Sequence, residues 1–292
     1  MGTDTATPDA AVIIPHYNDV ARLERCLSAL MQNDRNGVEI LVIDNGSTQS
    51  LDAVKAKFPE IRFLTETEKG AAAARNLGVR ESAAPLLFFI DADCVAAPDW
   101  LTKAREVAPL ADLVGGRVDV FDETPKPRSG AEAFETVFAF NFKNYIEVQG
   151  FTGAGNLVTT REVFEAVGDF RGGVAEDVDW SKRAVAQGFR LIYRDDLIVS
   201  HPSRSDWPAL RRKWHRTTQE MCATNGADLG ARVRWGLKAL AMPASALVHL
   251  PKVITSSKLD GVGEKLRAAL TLFRLRLQRM VWMLRQTIGL SI

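Results

Sequence analysis

Along the first 110 residues, short unbroken apolar runs alternate with stretches whose apolar positions recur every three or four residues. The runs AAVIIPHY (10–17), VEILVID (38–44), IRFLT (61–65) and LLFFI (86–90) are β-branched or aromatic. Their near-continuous hydrophobicity predicts strands buried on both faces of a parallel sheet. Asp19 stands where a helix cap belongs, with Leu23, Leu27 and Leu30 on one face behind it, and Gly70 to Ser82 is alanine-rich and helical in spacing. Strands alternating with helices imply right-handed βαβ units in a doubly wound α/β sheet.

Beyond residue 110 the pattern changes. DLVGGRVDVF (112–121) alternates like a strand of a mixed sheet, and DETPKPRSG (122–130) reads as a charged, Pro-rich loop. Residues 131–148 place aromatics at 134, 138, 142 and 145, one stripe at helical spacing. FTGAGNLVTT (151–160) predicts a glycine-rich turn feeding a strand, 176–188 a helix with an acidic start, and 189–201 two short strands ending at His201. Near the C-terminus, Leu266, Leu270, Phe273, Leu277, Met280 and Leu284 form a heptad seam, with Arg267, Arg274, Gln278 and Arg285 on a separate stripe.

Charge sharpens this division. Residues 1–200 carry 21 Lys and Arg against 31 Asp and Glu, a net of −10, whereas 201–292 carry 16 against 5, a net of +11. Either the halves neutralise each other in one fold or the basic tail seeks an anionic surface. The most apolar late stretch free of charged residues, Ala239 to Pro251, holds 13 residues and two prolines. That is short of the roughly 18 apolar residues a spanning helix needs. The N-terminus lacks the basic start and apolar core of a secretory signal. Three widely spaced cysteines, Cys26, Cys94 and Cys222, fit unpaired thiols in a reducing compartment.

Ligands of doubly wound sheets bind beyond the carboxyl ends of the strands. Here those ends read Pro15-His16-Tyr17-Asn18, Asp44-Asn45-Gly46-Ser47 and Asp91-Ala92-Asp93. The stretch after the first strand, PHYNDVARLERC, contains no glycine, and no GxxxxGK[ST] loop occurs, so dinucleotide and P-loop readings lose their support. Asp91 and Asp93 are open to two readings: carboxylates that hold a hard cation such as Mg²⁺ or Mn²⁺, or polar residues preceding a helix that starts near Pro98 or Asp99.

Taken together, AVIIPHYNDVARLERCLSAL, EILVIDNGST, KGAAAARNLGV, LLFFIDADC, FTGAGNLVTTREVFEAVGDF and AEDVDWSKRAVAQGF closely resemble the inverting glycosyltransferases of family 2. The motifs fall in the family's order over residues 10–202. The resemblance implies a GT-A fold: a nucleotide-binding, mostly parallel sheet with a smaller mixed sheet on the acceptor side. The expected organisation is a flexible N-terminus (1–9), a glycosyltransferase domain (10–205, its donor half 10–110 and acceptor half 111–205) and a basic helical extension (206–292).

It also implies roles. Asp93 would contact the metal, with Asp91 nearer the ribose; Asp44 would meet the nucleobase, lined by Pro15 and Tyr17. Lys69, Gly70 and Arg75 would touch ribose, base or diphosphate. Gly153 and Gly155 would let backbone approach the donor sugar, and His201 would reach the metal or diphosphate. Asp177, beside Glu176, would be the general base that inversion requires. At a helix N-terminus its pKa is expected to be lowered, keeping it ionised. Trp180 would wall the acceptor site, or pack.

The chain departs from the family in Asp169-Phe170-Arg171-Gly172-Gly173, which alters the acceptor loop, and it lacks the Gln-x-x-Arg-Trp motif of processive synthases. The expected activity is transfer of one sugar from a nucleotide-diphosphate sugar, UDP-sugar favoured, to a lipid or glycan acceptor of the cell envelope. Nucleic acid is not an expected partner. The tail predicts peripheral attachment to the anionic inner face of the cytoplasmic membrane, or a homodimer through the last helix. A non-catalytic sugar- or nucleotide-binding scaffold is the alternative, and a nucleotidyltransferase would show a Gly-rich basic loop that PHYNDV lacks.

Overall fold

The computed structural model describes residues 7–226 and 228–292, so the expectation for the N-terminus lies outside the described residues over 1–6. The elements run β1 (Ala10–His16), α1 (Val20–Leu30), β2 (Val38–Asp44), α2 (Asp52–Lys57), β3 (Arg62–Thr65), α3 (Ala71–Glu81), β4 (Leu86–Ile90), β5 (Val95–Ala96), α4 (Trp100–Val107) and β6 (Leu113–Phe121). There follow α5 (Gly130–Phe138), α6 (Phe142–Glu147), β7 (Asn156–Thr160), α7 (Arg161–Val167), α8 (Glu176–Ala186) and β8 (Leu191–Pro202), then α9 (Trp207–Thr224), α10 (Leu229–Leu240), α11 (Met242–Ile254) and α12 (Gly261–Thr287).

The chain divides into two compact units, Met1–Asp119 with Asn141–His201, and Val120–Phe140 with Pro202–Ile292. Residues 120–140, expected in the acceptor half, thus group with the C-terminal helices. The aromatic stripe is divided as well. Asn141, at φ −142°, takes the Asn144 N–H on its side chain and starts α6 afresh, so one predicted helix becomes two. Phe134 and Phe138 pack together in the second unit, Phe142 and Tyr145 in the first.

The strands form one eight-stranded sheet in the order β3-β2-β1-β4-β7-β6-β8-β5. Strands β3, β2, β1 and β4 are parallel, as their continuous apolar runs predict; β7 lies antiparallel to both β4 and β6, and β5 to β8. The acceptor-side strands therefore continue the main sheet instead of building a separate small one. Residues 191–202 make one strand, not two. Ile14, Val42 and Phe88 face one apolar layer with Leu23, Leu27 and Trp100, while Ile13, Leu41 and Phe89 face the other with Phe164 and Trp180.

A polar clamp lies inside this sheet. Asn156, fully buried at the start of β7, accepts from the Trp100 indole at 3.0 Å and donates to the Arg117 and Leu197 carbonyls at 3.0 and 2.9 Å. Gly116 makes room for it, because a Cβ there would stand 2.2 Å from the Asn156 amide nitrogen.

In the second unit, α12 buries Ala268, Leu272, Leu275, Trp282 and Met283, whereas Leu266, Leu270 and Leu277 of the predicted seam are exposed. Phe273, Met280 and Leu284 of the seam are partly buried, so the helix packs through the face beside the seam and only part of the seam itself. No single described helix is long and apolar enough to cross a membrane; α10 and α11 together meet that length and composition but are bent by 49°.

Replacing Asn156 by Ala strands the Trp100 N–H and two carbonyls in the core. Urea unfolding is expected to show a loss of about 3 kcal/mol, since each buried orphan costs about 1–3 kcal/mol; an unchanged midpoint would rule the clamp out as a stabilising element.

Candidate active site

Register brings the polar groups together. Strands β1, β2 and β4 are parallel, so His16, Asp44 and the residues following Ile90 emerge at the same edge. Strand β7 runs antiparallel to β4 with Asn156 opposite Ile90, which sets Gly155 beside Asp91. Val95 pairs with Ser200 in the antiparallel β5–β8 ladder, so His201 arrives next to the Asp91–Asp93 turn.

At the donor end of β1 and β2, Asp44 is held by its neighbours. Its Oδ1 accepts from the Ser47 hydroxyl at 2.5 Å and from His16 Nδ1 at 3.0 Å, and its Oδ2 accepts from the Ser47 N–H at 3.2 Å. The Asp19 N–H donates to His16 Nε2, which leaves the ring proton on Nδ1, facing Asp44. Asp19 thus begins α1 through its backbone, and its side chain pairs with Arg22 instead of capping the helix. Burial works to raise the Asp44 pKa, but the hydrogen bonds from Ser47 and His16 outweigh it and hold the carboxyl below its ordinary value. Asn18, at φ +49°, accepts on its side chain from the Thr48 N–H, and Asn45 receives the Gly70 N–H at 2.7 Å, tying the loops after β2 and β3 to each other. Tyr17 and Lys69 are exposed beside this arrangement, and Pro15 is half-buried.

The second group centres on Arg75. Its side chain is 5% exposed, and its guanidinium donates to Asp91 Oδ1 at 2.7 Å and to Glu176 Oε1 at 2.9 Å. Gly155 gives Asp91 its place, because a Cβ there would lie 2.7 Å from Asp91 Oδ2; one at Gly153 would meet the Phe142 ring at 2.9 Å and approach Asp177 Oδ2 to 3.3 Å. Asp93 Oδ2 lies 3.1 Å from His201 Nε2. Asp91, Asp93 and Cys94 offer ligand atoms within 4.8 Å of one another.

This donor set suits a hard divalent cation. Two carboxylates and an imidazole at one corner supply the oxygen-rich shell that Mg²⁺ or Mn²⁺ prefers. The Cys94 thiol fits less well: burial and the two aspartates push its pKa well up, so it stays protonated.

Asp177 differs from the sequence expectation. Burial, then the Glu176 charge, raise its pKa to about 6, overcoming Arg75 and the Val178 N–H. Asp177 is half-buried as a residue, and its carboxyl, shielded from water, is reluctant to ionise. Such a group can take a proton near neutral pH. Its helix is fixed by Ser181, whose hydroxyl donates to the Asp177 carbonyl at 2.6 Å and lies 3.0 Å from the Thr152 carbonyl.

Trp180 does not wall an acceptor site. It is fully buried against Phe164 and Phe170, and its indole N–H donates to the Gly168 carbonyl, so it anchors α8 to the core. The reading from sequence missed His16 as a functional residue. Its signal was its place opposite Asp44 in the parallel β1–β2 register, which emerges only when the two strands are paired.

The folded-state pKa of Asp177 lies near 6 against 3.8 for a free aspartate, so the native state holds the proton more tightly than the unfolded chain. The stability this group contributes is intact below about pH 4 and is lost as pH rises through about 6. Asp177→Asn is therefore expected to stabilise the protein by about 2 kcal/mol near neutral pH and by nothing measurable near pH 4. Paired urea titrations check this, and destabilisation at neutral pH would contradict it.

With the geometry in place, comparison with known proteins is direct. A family model for glycosyl transferase family 2 matches residues 11–177. The chain is 31% identical over 220 residues to the glycosyltransferase AglE of Haloferax volcanii, covering 71% of each chain. It is 27% identical over 216 residues to the pre-mycofactocin glycosyltransferase of Mycobacterium tuberculosis, a match covering 69% of this chain and 45% of that one. Among solved structures it resembles the mannosyltransferase PcManGT from Pyrobaculum calidifontis, solved in complex with GDP-Man and Mn²⁺. The TM-score is 0.61 at 19% identity, over 97% of this chain and 87% of that one. It also resembles S. aureus TarS 1–349, with a TM-score of 0.52 at 13% identity, over 95% and 73%. The fold is that of the GT-A glycosyltransferases, and the chain belongs to glycosyl transferase family 2.

Proposed function

We propose that the protein is an inverting enzyme that moves one sugar from a nucleoside-diphosphate sugar to an acceptor hydroxyl, with Asp177 as the general base. The observation that carries this reading is the half-buried Asp177 with a pKa raised to about 6, on a helix whose Glu176 is bound through Arg75 to Asp91.

In the proposed step the acceptor oxygen bonds to the anomeric carbon from the face opposite the leaving group. The bond from that carbon to the diphosphate oxygen breaks, and the hydroxyl proton passes to an Asp177 carboxylate oxygen. One displacement inverts the configuration and releases a nucleoside diphosphate. Asp91, Asp93 and His201 would hold a divalent cation, which when bound neutralises the charge that develops on the diphosphate. Arg75 keeps Asp91 and Glu176 in place, and Gly153 and Gly155, which make room for Phe142 and Asp91, would bring their backbone to the donor sugar. Asp44, with Pro15 and Tyr17, would receive the base; Lys69 and Gly70 flank the same edge. The mannosyltransferase PcManGT was solved with GDP-Man, which sets a GDP-sugar beside the UDP-sugar expected from sequence. A thermal-shift screen of UDP, GDP and dTDP, each with and without Mn²⁺, distinguishes them.

Deprotonated Asp177 is the active form, so kcat/KM is expected to rise with pH through about 6 and then level. Asp177→Asn should lower kcat by about 10³-fold, within the range for loss of a general base, and Asp93→Ala should abolish metal-dependent nucleotide binding while circular dichroism stays unchanged. Full turnover by Asp177→Asn would refute the assignment of the base.

We also propose that the helical unit docks on an anionic bilayer at the inner face of the cytoplasmic membrane, where a lipid or glycan acceptor of the cell envelope would be met. Leu229, Val233, Leu237 and Leu240 form an exposed row on α10, Leu247 and Val248 are exposed on α11, and residues 201–292 carry a net +11. Co-sedimentation with phosphatidylglycerol vesicles at low salt is expected, falling at least tenfold when Leu237 and Leu240 are both replaced by Ser. Undiminished binding by that variant, or a dimer mass in solution that the same changes abolish, would assign the row to a second copy of the chain.

A further inference from the structure

One cluster in the helical unit has positive charge without a counter-ion among the described residues. Arg279 of α12 is 4% exposed, and Arg276, one turn earlier, is half-buried. The Nε atoms of both are buried with no hydrogen-bond partner among the described residues. Neither guanidinium forms an ion pair there. Their polar contacts are thioethers, Arg276 to Met242 Sδ at 3.9 Å and Arg279 to Met221 Sδ at 3.6 Å. Arg279 lies over the Trp214 ring, 4.6 Å from its centroid, and the Trp214 indole N–H is itself buried and unpaired.

The other buried charges of this unit are treated differently. Glu135 is met by Lys213 at 2.7 Å and by Arg204 at 3.4 Å, and Glu264 by Arg128 at 3.0 Å. Burial together with the neighbouring Arg276 charge pushes the Arg279 pKa down to about 10, yet the group remains a cation at neutral pH. Burying a cation without a partner costs several kcal/mol, and a ring face and a thioether return only part of it. Two such cations on one helix add their mutual repulsion.

We propose that Arg276, Arg279 and the Trp214 indole N–H form a binding site for a phosphate-class oxyanion. A tetrahedral dianion would accept from two forked guanidiniums and a third N–H, neutralise the repulsion and satisfy the orphan donors together. Entry is possible because Arg276 is partly exposed and Met221, on the same cluster, is 45% exposed. The oxyanion comes either from a free phosphate compound or from a phospholipid headgroup; both present the same chemistry to the arginines. The site lies wholly within the helical unit and does not depend on the donor-site reading.

The test uses the full chain in EDTA, with pyrophosphate replacing chloride at constant ionic strength. Thermal melting of the wild type is expected to rise by about 5 °C at a concentration a hundredfold above Kd. The rise should vanish in Arg279→Met and shrink in Arg276→Met, while the melting temperature of Arg279→Met without anion stays at or above that of the wild type. Asp93→Asn, which alters the proposed metal corner, should keep the rise. A second arm measures flotation with phosphatidylcholine vesicles containing phosphatidate. Lys252→Met serves as the control that removes one positive charge from an exposed position. Flotation lost in Arg279→Met but kept in Lys252→Met assigns the headgroup as the source; an arginine-dependent melting shift with unchanged flotation assigns a free phosphate compound. If Arg279→Met does not fold, Arg276→Met is read in both arms. The proposal is overturned if neither arm responds to the arginine substitutions, or if the melting shift is lost in Asp93→Asn and kept in Arg279→Met.

Discussion

The candidate active site depends on one buried cation. Arg75 sits on α3, Asp91 follows β4 and Glu176 opens α8, separated from Arg75 by 16 and 101 residues along the chain. A guanidinium almost wholly removed from water needs charged acceptors at good geometry, and these two carboxylates supply them. The pairing runs both ways. Asp91, Glu176 and Asp177 all lie near enough to act electrostatically on Arg75, and without it three carboxylates would face one another with their nearest positive charge removed. A single side chain therefore connects the corner suited to a metal with the helix that carries the proposed base. That makes Arg75 a positioning residue first. Its buried Nε, unpartnered among the described residues, is a cost accepted for that geometry.

The glycines complete the constraint by what they omit. Antiparallel pairing of β7 with β4 would drive any side chain at position 155 into Asp91, and one at 153 into Phe142 and toward Asp177. Both carboxylates occupy space that other residues would fill. Crowding then does chemical work: packed beside Glu176 and partly shut off from water, Asp177 keeps its proton until about pH 6. The first turn of a helix favours the charged form, but the dipole contributes only about 0.3–1 kcal/mol at an exposed terminus. Desolvation and a neighbouring like charge exceed that here, which is why position on the helix predicted the wrong direction.

Much of this architecture was legible in the residues. Continuous apolar runs marked the parallel strands, and the polar groups at their ends marked the candidate edge, because strand direction fixes where those ends emerge. What stayed hidden depended on partners distant in sequence. His16 acquires meaning from Asp44 across a strand pair, and Asn156 from Trp100, Arg117 and Leu197, none of them local neighbours. Trp180 looked equally suited to a binding wall or a core, and only its packing against Phe164 and Phe170 decides. The split at Asn141 was invisible to periodicity, because the aromatic spacing continues across a cap that interrupts the backbone.

The last helix shows a different limit of pattern reading. Helix α12 carries two stripes at heptad spacing, and the sequence pattern selects the one whose six positions are all apolar. The structure buries the other, with Leu272, Leu275 and Met283, and this buried face also takes in Arg279. Leucines left in water at 266, 270 and 277 and an arginine kept from it at 279 reverse the usual partition of residue types. Hydrophobic burial alone would favour rotating the helix so that its regular seam faced inward. Helix α12 keeps its orientation because its neighbours α5, α9, α10 and α11 meet this second stripe, where small residues such as Ala268 allow close approach. Inverted partition on one helix therefore points outward as well as inward: the exposed leucines call for an apolar surface, and the enclosed Arg279 guanidinium calls for an anion. A bilayer with phosphate headgroups offers both chemistries in one place, so the exposed leucines of α10, α11 and α12 and the arginines of α12 fit the same kind of surface.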